Sequence, residues 1–524
     1  MMREQLVLFA PTLESRIPED HPVRLVDEVL SAYDWSEWEQ RYHGGRGQPP
    51  IPPSVLAKAM LYGFIRRIRS SRQLEYALSH NIDFIWLVEG HSIDHTTLCQ
   101  FRTRFQKELK HVYRHLCRMA LALGLIRLAD VGLDGTRVLA CNNRGKTLTA
   151  EKIQKLLDEL EAQLGCALAE ADSADAADVQ QGLFESDQAP DQLPPHVADL
   201  QQRQTRLKDM LAQARSADQA RKREGIDPQK NPAQIPTTDP DSRVLPNKEG
   251  GYAPNYTPMA ATDAHAGFIV SADVLASTAE QSLAVALVDD IAETCGQRPQ
   301  ALLGDGVYPT GENLQELDRR NVQLCSPLPA QHASPDNPAI REDPRVPVSA
   351  QAVDRLPINP QTKRFDKAAF VYVEAEDRYY CPQGRTLQYA ETKSETRRGQ
   401  TLSRRVYRSG DCSECPLLAR CQLPSATHGR TVSRDAHEKR RQQHAAQMAT
   451  PQARERYAKR FHTAEAPFAI LKNVFGMRRF LLRGLEQVKT EWLWACTSFN
   501  LIKLVRHVAR LRAKFTALAV AAVE

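Results

Sequence analysis

The sequence predicts an α/β protein: a mixed sheet with flanking helices, an all-α N-terminal region and inserted segments. Three observations predict it. Residues 1 to about 125 place apolar side chains at helical spacing in short runs joined by polar turns. Between about 126 and 330, short apolar runs and helical patterns follow in the order strand, strand, strand, helix, strand, helix, strand. From about 448 onward the pattern is helical again.

At 524 residues the chain is too long for one compact core, and two to four domains are expected. The net charge of +5 says little by itself. Its distribution says more: between Arg454 and Lys514 there are 14 Lys and Arg against four Glu and no Asp. The segments Arg66–Arg72 and Arg102–Arg118 are also basic. Cations clustered on helices are the footprint of a nucleic-acid binder, although a solvated helix face reads the same way. No apolar run is long enough to span a membrane and no signal peptide opens the chain, so a cytoplasmic protein is expected. Its eleven cysteines are then expected to be mostly reduced.

In the N-terminal region, Pro18–Pro22 reads as a cap and helix start before Val23–Tyr33. A Gly/Pro-rich loop precedes a helix from Ser54 to about Arg69. Ser70 and Ser71 can cap Arg72–Ser79, and Asp94–Thr97 can cap a helix over Leu98–Leu123. Short helices with Arg69, Arg72, Arg102 and Arg104 near their ends suggest a helix-turn-helix-like module, with a plain helical bundle as the competing reading. Residues 126–148 read as a strand pair. Ile153–Leu164 and Val197–Leu211 mark two amphipathic helices of a hairpin with an acidic, loose tip. Gly250–Ala261 and Gly267–Val274 flank a turn at Asp263–Gly267 and predict a β-hairpin. Ala279–Thr294 and Gly311–Arg320 read as helices, and Ala301–Leu303 and Val322–Leu324 as strands. Residues 330–447 are Pro- and Arg-rich and hold Cys381, Cys412, Cys415 and Cys421. That set could form a tetrahedral zinc site or sit reduced in a small sheet.

The chemistry is predicted to centre on the stretch 457–480, YAKRFHTAEAPFAILKNVFGMRRF. Phe461, Ala464, Phe468, Leu471 and Phe475 would form an apolar stripe with Glu465 beside it. A carboxylate on a core helix is costly unless a cation uses it, and a divalent metal is the candidate user. Two partner carboxylates stand out upstream, Asp134 in ADVGLDGTRVLACNN and Asp305 in ALLGDGVYPTGENLQEL. Each follows a short strand and precedes glycine, which suits a metal site at a sheet edge. Asp before Gly is also a common turn, and Glu465 could simply pair with Arg460 or Lys472. Asp263, Asp273, Asp289 and Asp290 are the competing acids, Asp263 first among them.

Six blocks in order now carry a resemblance. They are the N-terminal IPEDHPVRLVDEVL, IRSSRQLEYAL and DHTTLCQFRTRF; LDGTRVLACNN; DPDSRVLPNKEGGYAPNYTPMAATD; LLGDGVYPTGENLQEL; YAKRFHTAEAPFAILK; and GMRRFLLRGLEQVKTEWLWACTSFNLIKL. Together the chain resembles the DDE-type transposases of bacterial insertion sequences, whose catalytic domain has an RNase H-like fold. The resemblance implies Asp134, Asp305 and Glu465 as the catalytic triad, holding two Mg²⁺ or Mn²⁺ ions. It implies Tyr457, Arg460, Glu465 and Lys472 as the Tyr-Arg-Glu-Lys signature, with Arg478 and Arg479 also at the DNA. Four residues separate Arg460 from Glu465, where the commonest form has three.

The implied organisation is a DNA-binding domain over 1–125, catalytic segments at 126–148, 236–330 and 448–524, a helical insertion at 149–235 and a cysteine-bearing one at 331–447. The implied function is cutting at terminal inverted repeats and joining of the freed 3′-OH to target DNA by a nucleoid-associated homodimer. The alternatives are a related metal-dependent nuclease and a catalytically dead DNA-binding repressor or domesticated factor.

Overall fold

The computed structural model describes residues 12–42, 51–143, 145–181, 195–223, 226–247, 250–328, 337–397, 400–410, 412–424, 426 and 428–521. Eight helices come first: α1 (Leu13–Arg16), α2 (Pro22–Ser31), α3 (Ser36–Tyr42), α4 (Pro53–Ile65), α5 (Ser71–His80), α6 (Ile82–Leu87), α7 (His95–Arg104) and α8 (Gln106–Ala122). Two of the expected caps form, whereas Ser70 at the start of α5 makes no side-chain capping bond. His21 Nδ1 accepts from the Val23 amide, and Asp94 accepts from that of Thr97. The single helix expected over Leu98–Leu123 is instead two, because the chain breaks at Phe105. The Phe105 ring is buried there, stacked on Trp38 at 5.1 Å.

Strands β1 (Asp130–Gly135), β2 (Val138–Leu139) and β3 (Thr147–Leu148) follow. The long pair α9 (Ala150–Gln181) and α10 (Pro195–Arg223) then packs through Ile153, Leu157, Leu160, Leu207 and Leu211, as its apolar spacing requires. The acidic tip lies outside the described residues. β4 (Ile235–Pro236) pairs with β3 in a small two-stranded sheet, and the chain then enters the main sheet through β5 (Arg243–Pro246), β6 (Tyr252–Asp263) and β7 (Ile269–Leu275). It continues through α11 (Ala284–Cys295), β8 (Ala301–Leu303), α12 (Gly311–Arg319) and β9 (Gln323–Cys325). The helix expected from Ala279 begins as a 3₁₀ turn at Glu280–Leu283.

The central path of the main sheet is β2-β6-β1-β8-β9, with β5 and β7 also paired to β6. β1 is antiparallel to β6 and parallel to β8, and β8 is parallel to β9. All six residues of β1 are buried, as are all of β6 after Tyr252, because both strands are covered on both faces. Residues 337–449 build a separate five-stranded sheet from β10 (Val371–Val373), β11 (Arg378–Tyr380), β12 (Thr386–Arg397), β13 (Gln400–Arg408) and β14 (Thr431–Asp435). The short α13 (Leu418–Cys421) sits between β13 and β14, and α14 (Glu438–Ala449) follows them. The chain ends through α15 (Pro451–Ala458), α16 (Ala466–Asn473) and α17 (Leu485–Ala521).

α17 ties the molecule together. Its Trp492, Trp494, Phe499 and Leu504 are buried in one core shared with α2, α4, α8 and the main sheet. The N-terminal helices therefore have no separate core of their own. Buried Asn500 satisfies the edge of β7: it accepts from the Ile269 amide at 3.0 Å and donates to the Ile269 carbonyl at 2.7 Å.

Candidate active site

One face of β1 meets the C-terminal signature residue by residue. Side chains alternate along a strand, so positions 130, 132, 134 and 136 point the same way. Asp130 is gripped by Arg456 at 2.5 Å and by Lys459 at 3.1 Å. Gly132 lies under Thr463 and Ala464, so close that a Cβ there would stand 2.9 Å from the Thr463 methyl. Asp134 faces Arg460 at 3.5 Å, and Thr136 accepts from Lys472 at 2.6 Å. Arg460 reaches Glu465 at 3.8 Å with its other terminal nitrogen, so one guanidinium bridges two of the three predicted carboxylates.

The extra residue between Arg460 and Glu465 has a visible home. Residues Phe461–Glu465 form a π-helical turn between α15 and α16. A π-turn absorbs one inserted residue without rotating the helix beyond it, and such turns cluster at functional sites. Arg460 and Glu465 stay on the same side despite the longer spacing. The same turn corrects the predicted stripe. Ala464, Phe468, Leu471 and Phe475 are buried, but Phe461 is 63% exposed because the wider turn swings it outward. Glu465 is likewise exposed rather than set against the core.

Asp305 sits just past β8, the parallel neighbour of β1, which puts it at the same sheet end as Asp134. Its carboxylate accepts from the Val307 amide at 3.1 Å, and its carbonyl accepts from the Ser326 hydroxyl. Gly304 makes room for the Tyr308 ring, which would lie 2.6 Å from a Cβ at that position. The Tyr308 hydroxyl is fully buried and has no hydrogen-bond partner among the described residues. Burial pushes it far above the ordinary phenol range, and the charges of Glu280, Asp134 and Asp305 push in the same direction.

Asp263, the first substitute, is a structural residue: its carboxylate accepts from the amides of Arg127, Leu128 and His265. Asp289 and Asp290 pair with Arg320 and Lys110, and Asp273 with Lys489. Two predicted DNA contacts are also structural. Arg69 binds buried Glu491 at 2.5 Å and the carbonyls of Gly476 and Arg479, and Arg102 is buried with a long contact to the Arg69 carbonyl. Arg72, Arg104, Arg478 and Arg479 are exposed, and Tyr457 is half-buried. Glu280, packed against Gly135, and Tyr308, packed against Gly304, were not singled out from the sequence. Glu280 follows Ser277 at the spacing of an ordinary helix cap, which gave no separate signal.

Cys381, Cys412, Cys415 and Cys421 line one small cavity of about 20 Å³ with Arg385 and Arg430, and all four are free thiols. Burial pushes the Cys421 thiol up to about 12, and burial raises Cys381 as well; the neighbouring cysteines add to both. Among the described residues, no three His, Cys, Asp or Glu side chains form a group that could hold a metal ion. A larger cavity of about 460 Å³, lined by Lys367, Phe370, Tyr372 and Tyr379, contains none of the predicted site residues. No described helix is long and apolar enough to cross a membrane.

The chain is thus a mixed α/β protein with acidic side chains at the ends of two adjacent parallel strands and basic residues around them. Residues 380–505 match the family model described as a transposase DDE domain, and residues 11–104 match one described as a transposase domain (DUF772). Both matches are to transposase families, and together they support a DDE-type insertion-sequence transposase. The DDE match takes in Glu465 and the four cysteines but neither Asp134 nor Asp305. No curated protein and no solved structure matches the chain.

Proposed function

We propose that this transposase binds the terminal inverted repeats of its element, cuts the DNA ends by metal-dependent hydrolysis and joins the 3′-OH to target DNA. The observation that carries the reading is the Arg460 bridge between Asp134 and Glu465, with Asp305 at the end of the next parallel strand. The strand order β7-β6-β1-β8-β9, with β1, β6 and β7 antiparallel and β8 and β9 parallel to β1, supports an RNase H-like catalytic domain.

The donors are all carboxylates, which suits Mg²⁺ or Mn²⁺, and a cationic guanidinium already stands between two of them. Asp134, Asp305 and Glu465 would hold two such ions, which supply charge to activate the attacking oxygen and to stabilise the leaving one. Arg460 holds Asp134 and Glu465 together and balances their charge. Lys472, tethered at Thr136, and the exposed Arg478 and Arg479 orient the DNA backbone. The helices of residues 12–123 supply further DNA contacts through Arg72 and Arg104. Two ends must be held at once, so a homodimer is the working form. The four thiols around one cavity would be the donors of a structural Zn²⁺ once drawn closer together than they stand.

The test is Mg²⁺-dependent cleavage of labelled DNA carrying the gene's own flanking sequence, by wild type, Asp305→Ala and Glu465→Gln. Free 3′-OH ends that disappear in both variants, with DNA binding retained, are expected. Cleavage that survives either change removes that carboxylate from the mechanism. Tight binding without any wild-type cleavage would favour the inactive DNA-binding alternative.

A further inference from the structure

The signature segment is also held from the N-terminal helices, by the turn that joins α4 to α5. α4 ends at Ile65, and the chain reverses through Arg66, Arg67 and Ile68. The Arg67 amide donates to the Phe64 carbonyl at 3.1 Å and the Ile68 amide to the Gly63 carbonyl at 2.7 Å. That bonding pattern closes a helix with one left-handed residue, and Arg67 is that residue, with φ +65°. Glycine is the usual occupant, because a Cβ is strained there. The reason for an arginine therefore lies in what its side chain does.

The Arg67 guanidinium crosses to the far end of α16. Nε donates to the Val474 carbonyl at 2.5 Å, and Nη2 donates to the Asn473 carbonyl. These belong to the last residue of α16 and its cap, whose carbonyls no following helical amide can reach. Asn473 directly follows Lys472, whose Nζ donates to the Thr136 hydroxyl at 2.6 Å. Glu465 caps the other end of the same helix. On its opposite side the segment is pinned to the main sheet: Leu139 on β2 donates its amide to the Arg478 carbonyl at 3.2 Å and accepts from the Phe480 amide at 2.8 Å. Asn473–Phe480 is thus gripped between β2 and the α4–α5 turn.

We propose that Arg67 is a positioning residue: it caps α16 from the N-terminal helices and so holds Lys472 and Glu465 in register with β1. This rests on the metal-dependent cleavage reading above. The planar fork of arginine meets two carbonyls at once, which a lysine ammonium on a flexible stem does not reproduce. The competing roles are a direct DNA contact, since Arg67 is exposed, and a plain brace of the fold.

The experiment compares full-length wild type with Arg67→Gly, Arg67→Met and Arg67→Lys. It reads single-turnover Mg²⁺-dependent cleavage at saturating end DNA, DNA affinity, melting temperature and hydrogen exchange of the Val474 and Met477 amides. Arg67→Gly removes the clamp but relieves the left-handed backbone. It is expected to keep melting temperature and DNA affinity close to wild type, while exchange at both amides quickens and cleavage slows by about ten-fold or more. Arg67→Met should slow cleavage as much and melt lower, because it keeps the strain. Arg67→Lys should resemble Arg67→Gly in rate rather than wild type. A wild type that cleaves, with Arg67→Gly cleaving equally fast or exchanging no faster at Val474 and Met477, overturns the proposal. Rates that fall only in step with melting temperature across the three variants also overturn it, leaving a brace. Weaker DNA affinity in Arg67→Gly and Arg67→Met but not Arg67→Lys, with the saturated rate unchanged, makes Arg67 a DNA contact and overturns it as well. A wild type without Mg²⁺-dependent cleavage overturns the underlying reading itself.

Discussion

Gly132→Ala isolates the contact that seats the signature helix on β1. The added Cβ would stand 2.9 Å from the Thr463 Cγ2 atom, 3.1 Å from its Cβ and 3.0 Å from the Ala464 backbone nitrogen. None of these is the far end of a flexible chain, so β1 and the π-turn must separate by several tenths of an ångström. Overpacking of this kind destabilises by about 1–3 kcal/mol. The effect on chemistry is expected to be larger, because the displaced turn carries Glu465 and follows Arg460 directly. A misplacement approaching 1 Å at a catalytic group lowers the rate on the order of 100-fold, or about 2.7 kcal/mol of activation free energy. The assay is single-turnover cleavage of labelled end DNA, with DNA affinity and melting temperature measured in parallel. Thr463→Ser removes the Cγ2 contact and keeps the hydroxyl bond to the Lys459 carbonyl. Added to Gly132→Ala, it should restore the rate to within about ten-fold of wild type, the remainder reflecting the 3.0 Å backbone contact. A Gly132→Ala enzyme that cleaves at the wild-type rate would refute the reasoning, as would a loss that Thr463→Ser leaves untouched.

Three further outcomes are expected. Arg69→Met strands the buried Glu491 carboxylate with only the Leu481 and Leu482 amides, and should lower stability by about 3 kcal/mol in chemical denaturation. Glu491→Gln in the same background should recover part of that, and a single-variant loss near zero would count against the pair. Buried His444 shares a 2.7 Å hydrogen bond with the Ser326 carbonyl, and burial holds its pKa below the ordinary value. Below pH about 6.5 the unfolded chain therefore takes up a proton that the folded chain resists, so stability should fall with acidification until the folded imidazole itself protonates. His444→Gln should shallow that slope without abolishing it, because half-buried His115 is shifted in the same direction; an unchanged slope would exclude His444 as a source. Finally, purified protein should carry about one zinc per chain, lost on Cys412→Ser with Cys415→Ser. A metal-free wild type, with all four thiols open to alkylation, would exclude a zinc site there.

Ser326 links the Asp305 loop to α14. Its hydroxyl donates to the Asp305 carbonyl, and its own carbonyl meets His444 on α14, the helix that follows the five-stranded sheet. α14 thus braces the Asp305 loop through Ser326.

Legible in the sequence alone were most of the strand and helix order between 126 and 330, the three candidate carboxylates and the resemblance to DDE-type transposases. These are local or cumulative signals: period-two and helical spacing, caps such as Asp94, and motif blocks in a fixed order. It also registered the extra residue after Arg460 but could not say where that residue goes. Only the tertiary structure decided that a π-turn absorbs it, since the turn is shaped by packing of Thr463 and Ala464 on Gly132. Only the tertiary structure separated cations with the same sequence signature into braces and exposed groups. Arg69 is half-buried and Arg102 buried, while Arg72 and Arg104 are exposed, because chain segments hundreds of residues away supply the carboxylate and carbonyls that Arg69 binds. Glu280 was invisible for the same reason. A glutamate at a helix start carries no mark of the strand it leans on, and the missing side chain that admits it belongs to Gly135, on a strand formed far earlier in the chain.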